Sequence, residues 1–511
     1  MVPLVAVAEV SGEPSTSAGR ATLNEALAVG PSALPVRDMT VGDLLAWAAM
    51  TAPDRLALVA GTVNAEARRE WTYADLYSQS LRVARALHAR FKPGEHVAVW
   101  APSVPEWVML QFGAAMAGLV LVPVDPGGSA ADVELLVKQA RAVGVVVCTN
   151  FRGQSMLAQV QALAPRCRAL REVIRLDRWN AFVAGGDDAA AELPTLHCDD
   201  VVMLQYTAAT SGPAKGALLH HRGLVNNAAH VADRLAVHDG DVWIGSMSLH
   251  HAGGCVLTVL GAVSKRATLV LAEHYEPPLL LELIDSYGGN ALLAPPGTLA
   301  ALLAHPDAAK RELSSLRVVG SGGTQVPPAL VARWQEQLGV VCCVIYGQTE
   351  SSPGCAMTRS DDSAADQCHT VGTALPGVQL RIVSLGTGNT AAVGEEGEIC
   401  TRGYHVMKGY HELEAATQHA VDADGWLHTG DLGALDARGY LRFAGRLKAV
   451  IVRGEVHVHP SAQTPGLAAH PAALVPGAPV PNFGGGQDPE VQAARTLHPG
   501  HAGGSVARPA H

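Results

Sequence analysis

Apolar runs alternate with amphipathic segments over residues 41–344 of the chain. Residues 97–100 and 119–124 have the composition of buried strands, and residues 106–117 between them have the periodicity of a helix. The alternation returns after residue 201. Continuous apolar strands that alternate with helices are typical of parallel sheets with helices on both faces. The pattern therefore predicts an α/β fold with two doubly wound subdomains.

The pattern changes near residue 371, where short alternating segments such as 379–383 and 398–401 are separated by glycine-rich turns. This change predicts a smaller, β-rich subdomain. It changes again at residues 461–511, which contain 8 Gly and 8 Pro and keep no helix or strand period. Such a composition rarely forms a core and predicts a disordered tail. Residues 1–38, rich in small residues, are expected to form a loose leader.

The length of 511 residues indicates at least two domains. The net charge of −10 argues against a nucleic-acid partner, which would select a basic face. No apolar run reaches the roughly 18 residues of a membrane span. The first 30 residues also lack the pattern of a signal peptide. The sequence gives no indication of oligomeric state.

The nine cysteines form no CxxC pair, and the 22 histidines stand mostly apart. Scattered cysteines in a long chain are typical of reduced, buried thiols, so we expect a cytoplasmic protein. A structural metal site built from these cysteines is not indicated by their spacing.

Residues 205–216 read QYTAATSGPAKG, where a strand ends in a loop of small and hydroxylated residues before Lys215. Backbone amides, hydroxyls and a lysine in such a loop suit phosphate groups. The order of a Walker A loop is absent. Taken alone, the segment is equally compatible with a plain surface turn.

Two further segments carry candidate chemistry. Residues 346–350, YGQTE, follow the apolar run 340–345 and so lie at the carboxyl end of a strand, where α/β sheets bind ligands. A hydroxyl next to a carboxylate suits a phosphate with its Mg²⁺, although a capped turn is the alternative. Residues 425–431, GWLHTGD, place a carboxylate where it could accept ribose hydroxyls, and a hairpin turn is the alternative there.

Together and in this order, these segments resemble the adenylate-forming superfamily, which includes acyl-CoA synthetases. Residues 206–216 resemble its YTSGTTGxPKG segment, residues 346–350 its YGxTE segment, and residues 425–431 with 445–448 its GWxxTGD and GRxK segments. Residues 249–254, LHHAGG, are similar to its PLFHTGG segment. The resemblance covers about four-fifths of the chain. It implies that ATP and Mg²⁺ activate a carboxylic acid, here a fatty acid, as an acyl-adenylate, and that CoA accepts the acyl group.

The resemblance also implies a role for individual residues. Thr349 would contact the α-phosphate, Glu350 would hold Mg²⁺, Lys448 would lie at a hinge, and His251 would lie near the acyl pocket. The remaining positions would bind ATP: Thr207, Thr210, Ser211, Gly212, Lys215 and Gly216 at the phosphates; Gly322, Gly323 and Thr324 along adenine; Tyr346 stacked on the base beside Gly347 and Gln348; and Asp431 and Arg446 at the ribose.

The resemblance implies a large AMP-binding domain over residues 39–445, and a hinge and stub of a small α+β lid over residues 446–460. Two departures suggest impaired catalysis. Ala208 and Ala209 replace a serine and a glycine of the phosphate loop. Lys448 is the last lysine of the chain, whereas the family carries a catalytic lysine near the end of its lid. The tail at 461–511 is expected to be aberrant, as from a shifted reading frame.

Three interpretations therefore remain open. The first is an acyl-CoA synthetase whose adenylation is impaired. The second is a non-catalytic relic that binds ATP or an acyl group. The third is an adenylating enzyme that serves a carrier protein, although no carrier-like segment is attached.

Overall fold

A computed structural model describes residues 22–32, 34–186, 192–207, 214–447, 451–453 and 456–458. The predicted tail, Lys448 and the tip of the phosphate loop lie outside these residues. The strands are β1 Leu27–Val29, β2 Leu56–Gly61, β3 Glu70–Thr72, β4 His96–Trp100, β5 Val120–Val124, β6 Gly144–Val147, β7 Asn150–Phe151, β8 Gln154–Ser155, β9 Glu172–Arg175, β10 Val201–Tyr206, β11 Gly216–His220, β12 Val242–Gly245, β13 Thr268–Ala272, β14 Ala291–Leu293, β15 Val318–Gly322, β16 Val341–Gly347, β17 Gly354–Met357, β18 Thr373–Ala374, β19 Val378–Val383, β20 Gly397–Gly403, β21 Leu427–Leu435, β22 Leu441–Arg446, β23 Ile451–Arg453 and β24 Val456–Val458.

The α-helices alternate with these strands through most of the chain. They are α1 Val41–Thr51, α2 Tyr73–His88, α3 Pro105–Met116, α4 Ala130–Gln139, α5 Met156–Leu163, α6 Trp179–Ala184, α7 His221–Arg234, α8 Gly261–Ser264, α9 Pro277–Tyr287, α10 Pro296–Ala304, α11 Pro328–Leu338, α12 Ala364–His369 and α13 Glu414–Ala420. A π-helix spans Gly253–Leu260, and a 3₁₀ turn spans Thr349–Ser351. No helix in the described ranges combines the length and apolar character needed to cross a membrane.

Helix starts follow from local sequence signals. Thr72 caps α2 by accepting a hydrogen bond from the backbone of Asp75, whose carboxylate bonds back to the Thr72 amide. Ser129 and Asp132 form the same reciprocal cap at α4. Such caps satisfy amides that have no partner within the helix. Pro105 begins α3, where its missing N–H costs nothing.

The first doubly wound subdomain is a six-stranded sheet in the order β11-β10-β5-β4-β6-β9. Its strands are parallel except for the edge strand β11, which is antiparallel to β10. All five residues of β5 are buried. This burial explains the unbroken apolar run in the sequence, because helices cover both faces of the sheet.

The second subdomain is a nine-stranded sheet in the order β18-β17-β16-β15-β14-β12-β13-β2-β3. The strands from β16 to β2 are parallel, and β17, β18 and β3 are antiparallel. The predicted doubly wound architecture is confirmed, but this sheet is mixed where the pattern indicated parallel strands. It also recruits β2 and β3 from a distant, early part of the chain.

The β-rich subdomain is a five-stranded antiparallel sheet in the order β1-β19-β20-β21-β22. Its strand β1 comes from the segment expected to be a loose leader, and Leu27, Ala28 and Val29 pair with β19. Within residues 22–38 the leader prediction is therefore corrected. Ala26 and Ala28 are buried in the core, which a short run of small residues did not reveal.

Candidate active site

The segments singled out in the sequence meet where the three sheets adjoin. Strands β10, β15 and β16 end at Tyr206, Gly322 and Gly347, and the family-like segments follow these ends directly. The carboxyl ends of parallel strands form the usual ligand crevice of an open α/β sheet. Strands β21 and β22 of the five-stranded sheet supply the remaining candidate residues.

Tyr346, Asp431 and Arg446 form one cluster across two sheets. The phenol of Tyr346 donates a hydrogen bond to Asp431 Oδ2 at 3.0 Å, and Arg446 Nε lies 3.3 Å from Asp431 Oδ1. Asp431 and Arg446 are directly paired across β21 and β22. Burial raises the pKa of the Asp431 carboxyl above its ordinary value, and the guanidinium of Arg446 opposes this rise. The Asp431 carboxylate is thus fixed by the Tyr346 phenol and lies beside the exposed guanidinium of Arg446.

Glu350 lies beside a second cluster formed with Tyr410 and Lys215. The phenol of Tyr410 donates a 2.6 Å hydrogen bond to Glu350 Oε1. The ammonium of Lys215 lies 4.8 Å from the centre of the Tyr410 ring, within cation–π range. Burial and the neighbouring Glu350 charge raise the pKa of the Tyr410 phenol. Tyr410 therefore stays protonated and connects the metal-binding candidate to the phosphate-binding candidate.

Backbone pairing fixes Tyr410 in this place. The amide of Met407 donates to the carbonyl of Glu350, and the amide of Leu218 in β11 donates to the carbonyl of Gly409, both at 2.9 Å. Gly409 has φ +143°, and a Cβ there would come within 2.8 Å of Thr417. The segment after β20 is therefore held against both β11 and the 3₁₀ turn that carries Thr349 and Glu350.

The base of the phosphate loop is closed by a hydrogen bond from the Thr207 amide to the Lys215 carbonyl, at 3.0 Å. Strands β10 and β11 pair up to Tyr206 and Gly216. The loop is thus the connection of an antiparallel pair. Thr210, Ser211 and Gly212, with Ala208 and Ala209, lie outside the described residues.

The candidate adenine-binding residues follow two neighbouring strands. Gly322 pairs with Ile345, and a Cβ at Gly322 would come within 2.4 Å of the Ile345 carbonyl. Gly323 has φ +78°, which favours glycine, and Gly323 and Thr324 are exposed. A Cβ at Gly347 would come within 1.9 Å of the Pro353 carbonyl. The backbone of these two strand ends therefore packs too closely to leave room for a side chain at Gly322 or Gly347. Tyr346 is largely buried, with 8% of its surface exposed.

Gln348 precedes the 3₁₀ turn and forms hydrogen bonds with Ser351, the last residue of that turn. The Gln348 amide donates to Ser351 Oγ at 3.0 Å, and Ser351 Oγ–H donates to the Gln348 carbonyl at 2.8 Å. Ser351 and Ser352 are fully buried. The short side chains of Ser351 and Ser352 therefore pack into the protein interior.

His250 and His251 lie beside the end of β10, with ring centroids 3.9 Å apart. Gln205 donates to the His250 carbonyl at 2.7 Å, which ties this segment to the strand before the phosphate loop. Burial lowers the pKa of His250 to about 4, so this ring is neutral. His251 is exposed, and the apolar π-helix Gly253–Leu260 begins two residues later.

The sequence patterns did not single out Tyr410, Thr429 or Phe443 as site residues. The Tyr346 phenol also donates a hydrogen bond to Thr429 Oγ1 at 3.3 Å. The ring centroids of Phe443 and Tyr346 lie 6.0 Å apart. Thr429 lies inside the GWLHTGD segment, so its neighbourhood was a usable signal. The positions of Tyr410 and Phe443 depend on strand pairing, which no local pattern records.

Curated relatives match most of this chain. YngI of Bacillus subtilis, an acyl-CoA synthetase by name, is 35% identical over 476 residues, which cover 87% of this chain and 86% of that protein. The acyl-CoA ligase sidI of Aspergillus fumigatus is 31% identical over 489 residues, covering 89% of this chain and 81% of that protein.

Solved structures agree with the fold. The crystal structure of ATP-bound MatB from Rhodopseudomonas palustris superposes with a TM-score of 0.74 at 26% identity, covering 83% of this chain and 82% of that chain. The family model for the AMP-binding enzyme matches residues 45–411, which is more than half of the sequence. This chain therefore belongs to the AMP-binding enzyme family.

Proposed function

We propose that the chain uses ATP and Mg²⁺ to activate a fatty or other hydrophobic carboxylic acid and passes the acyl group to CoA. One observation supports the proposal above all: the cluster of Lys215, Tyr410 and Glu350 lies near the pair of Asp431 and Arg446 at the ends of parallel strands. The charge of Glu350 acts on the Asp431 carboxyl, so the two clusters are neighbours. Relatives named as acyl-CoA synthetases and ligases support the CoA-dependent reaction class.

The proposal assigns each part of ATP to a part of the crevice. The ribose hydroxyls would bind the carboxylate of Asp431 and the guanidinium of Arg446. The base would lie along Gly322, Gly323 and Thr324, next to Tyr346, Gly347 and Gln348. The phosphates would extend toward Thr207, Lys215 and Gly216 at the base of the loop, with Thr210, Ser211 and Gly212 completing it. Hydroxyls, amides and a lysine suit this part.

The donor chemistry of Glu350 fits Mg²⁺. The Tyr410 phenol bonds Glu350 Oε1 and leaves Oε2 as a ligand for a hard cation, which prefers carboxylate oxygen. Bound there, Mg²⁺ would neutralise negative charge on the phosphates of ATP. Glu350 is 9% exposed, so its position is set by the fold rather than by the ion.

The proposed chemistry proceeds in two steps. A carboxylate oxygen of the acid attacks the α-phosphorus of ATP, and the bond from that phosphorus to the bridging oxygen of pyrophosphate breaks. The thiolate sulfur of CoA then attacks the acyl carbon, and AMP leaves with the oxygen. The protein aligns the groups and stabilises phosphate charge. In this proposal Thr349 contacts the α-phosphate and Lys448 acts at the hinge before the second step.

We also propose that the acid is hydrophobic. His251 lies at the start of the π-helix Gly253–Leu260, of which seven of the eight residues are buried. A ligase named as medium-chain acyl-CoA ligase, from Danio rerio, is 29% identical over 491 residues and supports a fatty acid. A cytoplasmic setting is also part of the proposal, and nine unpaired cysteines support it.

A second candidate is binding of ATP without turnover. Ala208 and Ala209 favour it, because the serine hydroxyl that the family uses is absent and an alanine replaces a glycine. A lost neutral hydrogen bond alone accounts for about 0.5–1.5 kcal/mol. That cost weakens catalysis without abolishing nucleotide binding.

ATP–pyrophosphate exchange by the purified full chain, with acids of short, medium and long chain, tests the proposal. Exchange that depends on one acid supports adenylation and identifies the acid. ATP binding without exchange supports the second candidate. Failure to bind ATP, in a folded chain, would contradict both. Asp431→Asn is the control that should reduce any signal from the proposed site.

A further inference from the structure

Glu398, Cys400 and His428 form a cluster on one face of the five-stranded sheet, next to the Gly430–Asp431 segment. His428 Nδ1 lies 2.9 Å from Glu398 Oε2 and 3.4 Å from Cys400 Sγ. One ligand atom from each of the three side chains lies within 4.8 Å of the other two. The comparisons and the proposed function give this Glu398–Cys400–His428 cluster no role.

Strand geometry explains why the three side chains meet. Glu398 and Cys400 are two residues apart in β20 and therefore point to the same face. His428 in β21 is the direct cross-strand partner of Cys400. Cys400 is fully buried, whereas the side chains of His428 and Glu398 are 30% and 15% exposed. An ion from solvent can thus reach the cluster past the histidine and the glutamate.

The separations lie close enough to those of a tetrahedral zinc site for small side-chain shifts to complete it. With Zn–S of about 2.3 Å and Zn–N or Zn–O of about 2.0–2.2 Å, tetrahedral ligands lie roughly 3.3–3.6 Å apart. The Cys400–His428 separation matches this value, and the Glu398–His428 separation is shorter by a few tenths of an ångström. Thiolate, imidazole and carboxylate are also the three ligand types that zinc takes in proteins.

A second set of contacts orients these ligands. Asp422 Oδ2 lies 3.5 Å from His428 Nε2, the ring nitrogen that faces away from the cluster. Histidines that bind metal usually donate their other N–H to a carboxylate in this way. Glu398 Oε1 accepts a hydrogen bond from the Gly430 amide at 3.1 Å, which leaves Oε2 directed at the cluster.

We propose that Glu398, Cys400 and His428 bind one Zn²⁺ ion, with a water molecule as the fourth ligand and Asp422 as the partner of the histidine. The rival explanation is a protonated His428 that forms ion pairs with Glu398 and Asp422 and binds no metal. The two explanations differ in the role of Cys400, because only the metal site requires its thiolate.

Titration of the full chain with Co²⁺ after chelator and reductant treatment tests the proposal. Thiolate coordination gives a sulfur-to-cobalt charge-transfer absorption, which the histidines elsewhere in the chain cannot produce. We expect one equivalent of this absorption and its loss when excess Zn²⁺ displaces cobalt, because zinc is among the metals that thiolate ligands select. A folded wild-type chain without this absorption would overturn the proposal.

Variants assign the absorption to the cluster. Cys400→Ser should abolish it, while Cys342→Ser, which alters another buried strand cysteine, should retain it. His428→Asn changes a partly exposed side chain and should also abolish it, so the test does not depend on one buried substitution. Asp422→Asn keeps the turn-capping Oδ1 and should weaken Co²⁺ binding about 10- to 100-fold. Unchanged absorption in both Cys400→Ser and His428→Asn would refute the site.

Discussion

The phenol of Tyr410 bridges the carboxylate of Glu350, to which it donates a 2.6 Å hydrogen bond, and the ammonium of Lys215, which lies over its ring. Glu350 follows a strand of the nine-stranded sheet, and Lys215 precedes the edge strand β11 of the six-stranded sheet. One side chain therefore contacts both the proposed metal ligand and the proposed phosphate-binding lysine.

Tyr410→Phe should weaken the Mg²⁺ dependence of ATP binding, because it removes a hydrogen bond to a charged carboxylate and keeps the ring. Loss of a partner that orients a metal ligand typically lowers metal affinity about 10- to 100-fold, so we expect the Mg²⁺ concentration at half effect to rise about tenfold or more. Calorimetric ATP titrations at several Mg²⁺ concentrations measure this. Tyr440→Phe is the matched control, since Tyr440 also donates a 2.6 Å hydrogen bond to a carboxylate, that of Asp362. An equal shift in both variants would contradict the role of Tyr410.

Asp431→Asn should weaken ATP binding about tenfold or more, because it removes the charge that would accept the ribose hydroxyls. The loss should largely vanish with 2′,3′-dideoxy-ATP, which lacks those hydroxyls, since a double-mutant cycle isolates the shared interaction. Equal losses for the two nucleotides would show that Asp431 acts through the fold, by way of its hydrogen bond with Tyr346.

Restoring the family residues in the phosphate loop should improve nucleotide binding. Ala208→Ser adds a donor for a phosphate oxygen, and Ala209→Gly adds backbone freedom. We expect ATP affinity of the double variant to rise about three- to tenfold, a change that corresponds to one neutral hydrogen bond. An AMP titration provides the control, because AMP lacks the β- and γ-phosphates and its affinity should not change.

His221 predicts an acid-sensitive fold. Its Nδ1 accepts a hydrogen bond from the Val41 amide at 3.0 Å, and burial lowers its pKa to about 4. The unfolded chain, with a histidine pKa of about 6.5, binds the proton first as pH falls. The free energy of unfolding therefore decreases between pH 6.5 and 4, by about 2 kcal/mol at pH 5 from this residue. Urea unfolding of wild type and His221→Gln at pH 7 and 5 should show a shallower pH dependence in the variant. Parallel curves would contradict the assignment.

Gly347→Ala should destabilise the chain, because a Cβ at this position would come within 1.9 Å of the Pro353 carbonyl. Overpacking of this kind costs about 1–3 kcal/mol. Gly386→Ala is the control, since a Cβ there meets nothing within 4 Å. Thermal unfolding should show a lower midpoint for the first variant alone, and similar midpoints for both would contradict the close approach.

Local pattern was sufficient for much of the fold. The α/β alternation, the β-rich subdomain and the family were predicted, and the AMP-binding model over residues 45–411 confirms the family. The strand of residues 97–100 and the helix of residues 106–117 were placed within one residue of β4 and α3. Runs of buried residues and helix caps depend on residues that are close together in the sequence, so a single sequence reveals them.

Long-range pairing was not predictable in the same way. β1 pairs with β19 some 350 residues later, and the sequence of neither strand indicates its partner. The pairing of Cys400 with His428 and the contact of Tyr410 with Glu350 likewise depend on register between distant strands. The roles of the individual ATP-binding residues remain predictions, because they come from the resemblance and from proximity.

The recruitment of β2 into the nine-stranded sheet has a consequence for biosynthesis. β2 pairs on one side with β13, whose first residue follows about 200 residues later. At about 5–20 residues per second of synthesis, β2 emerges roughly 10–40 s before this partner. During this interval the nascent chain exposes the unpaired, apolar edge of β2. A nascent chain that ends before β13 cannot complete this sheet. Chaperone occupancy of the growing chain should accordingly be highest before Ala272 has emerged.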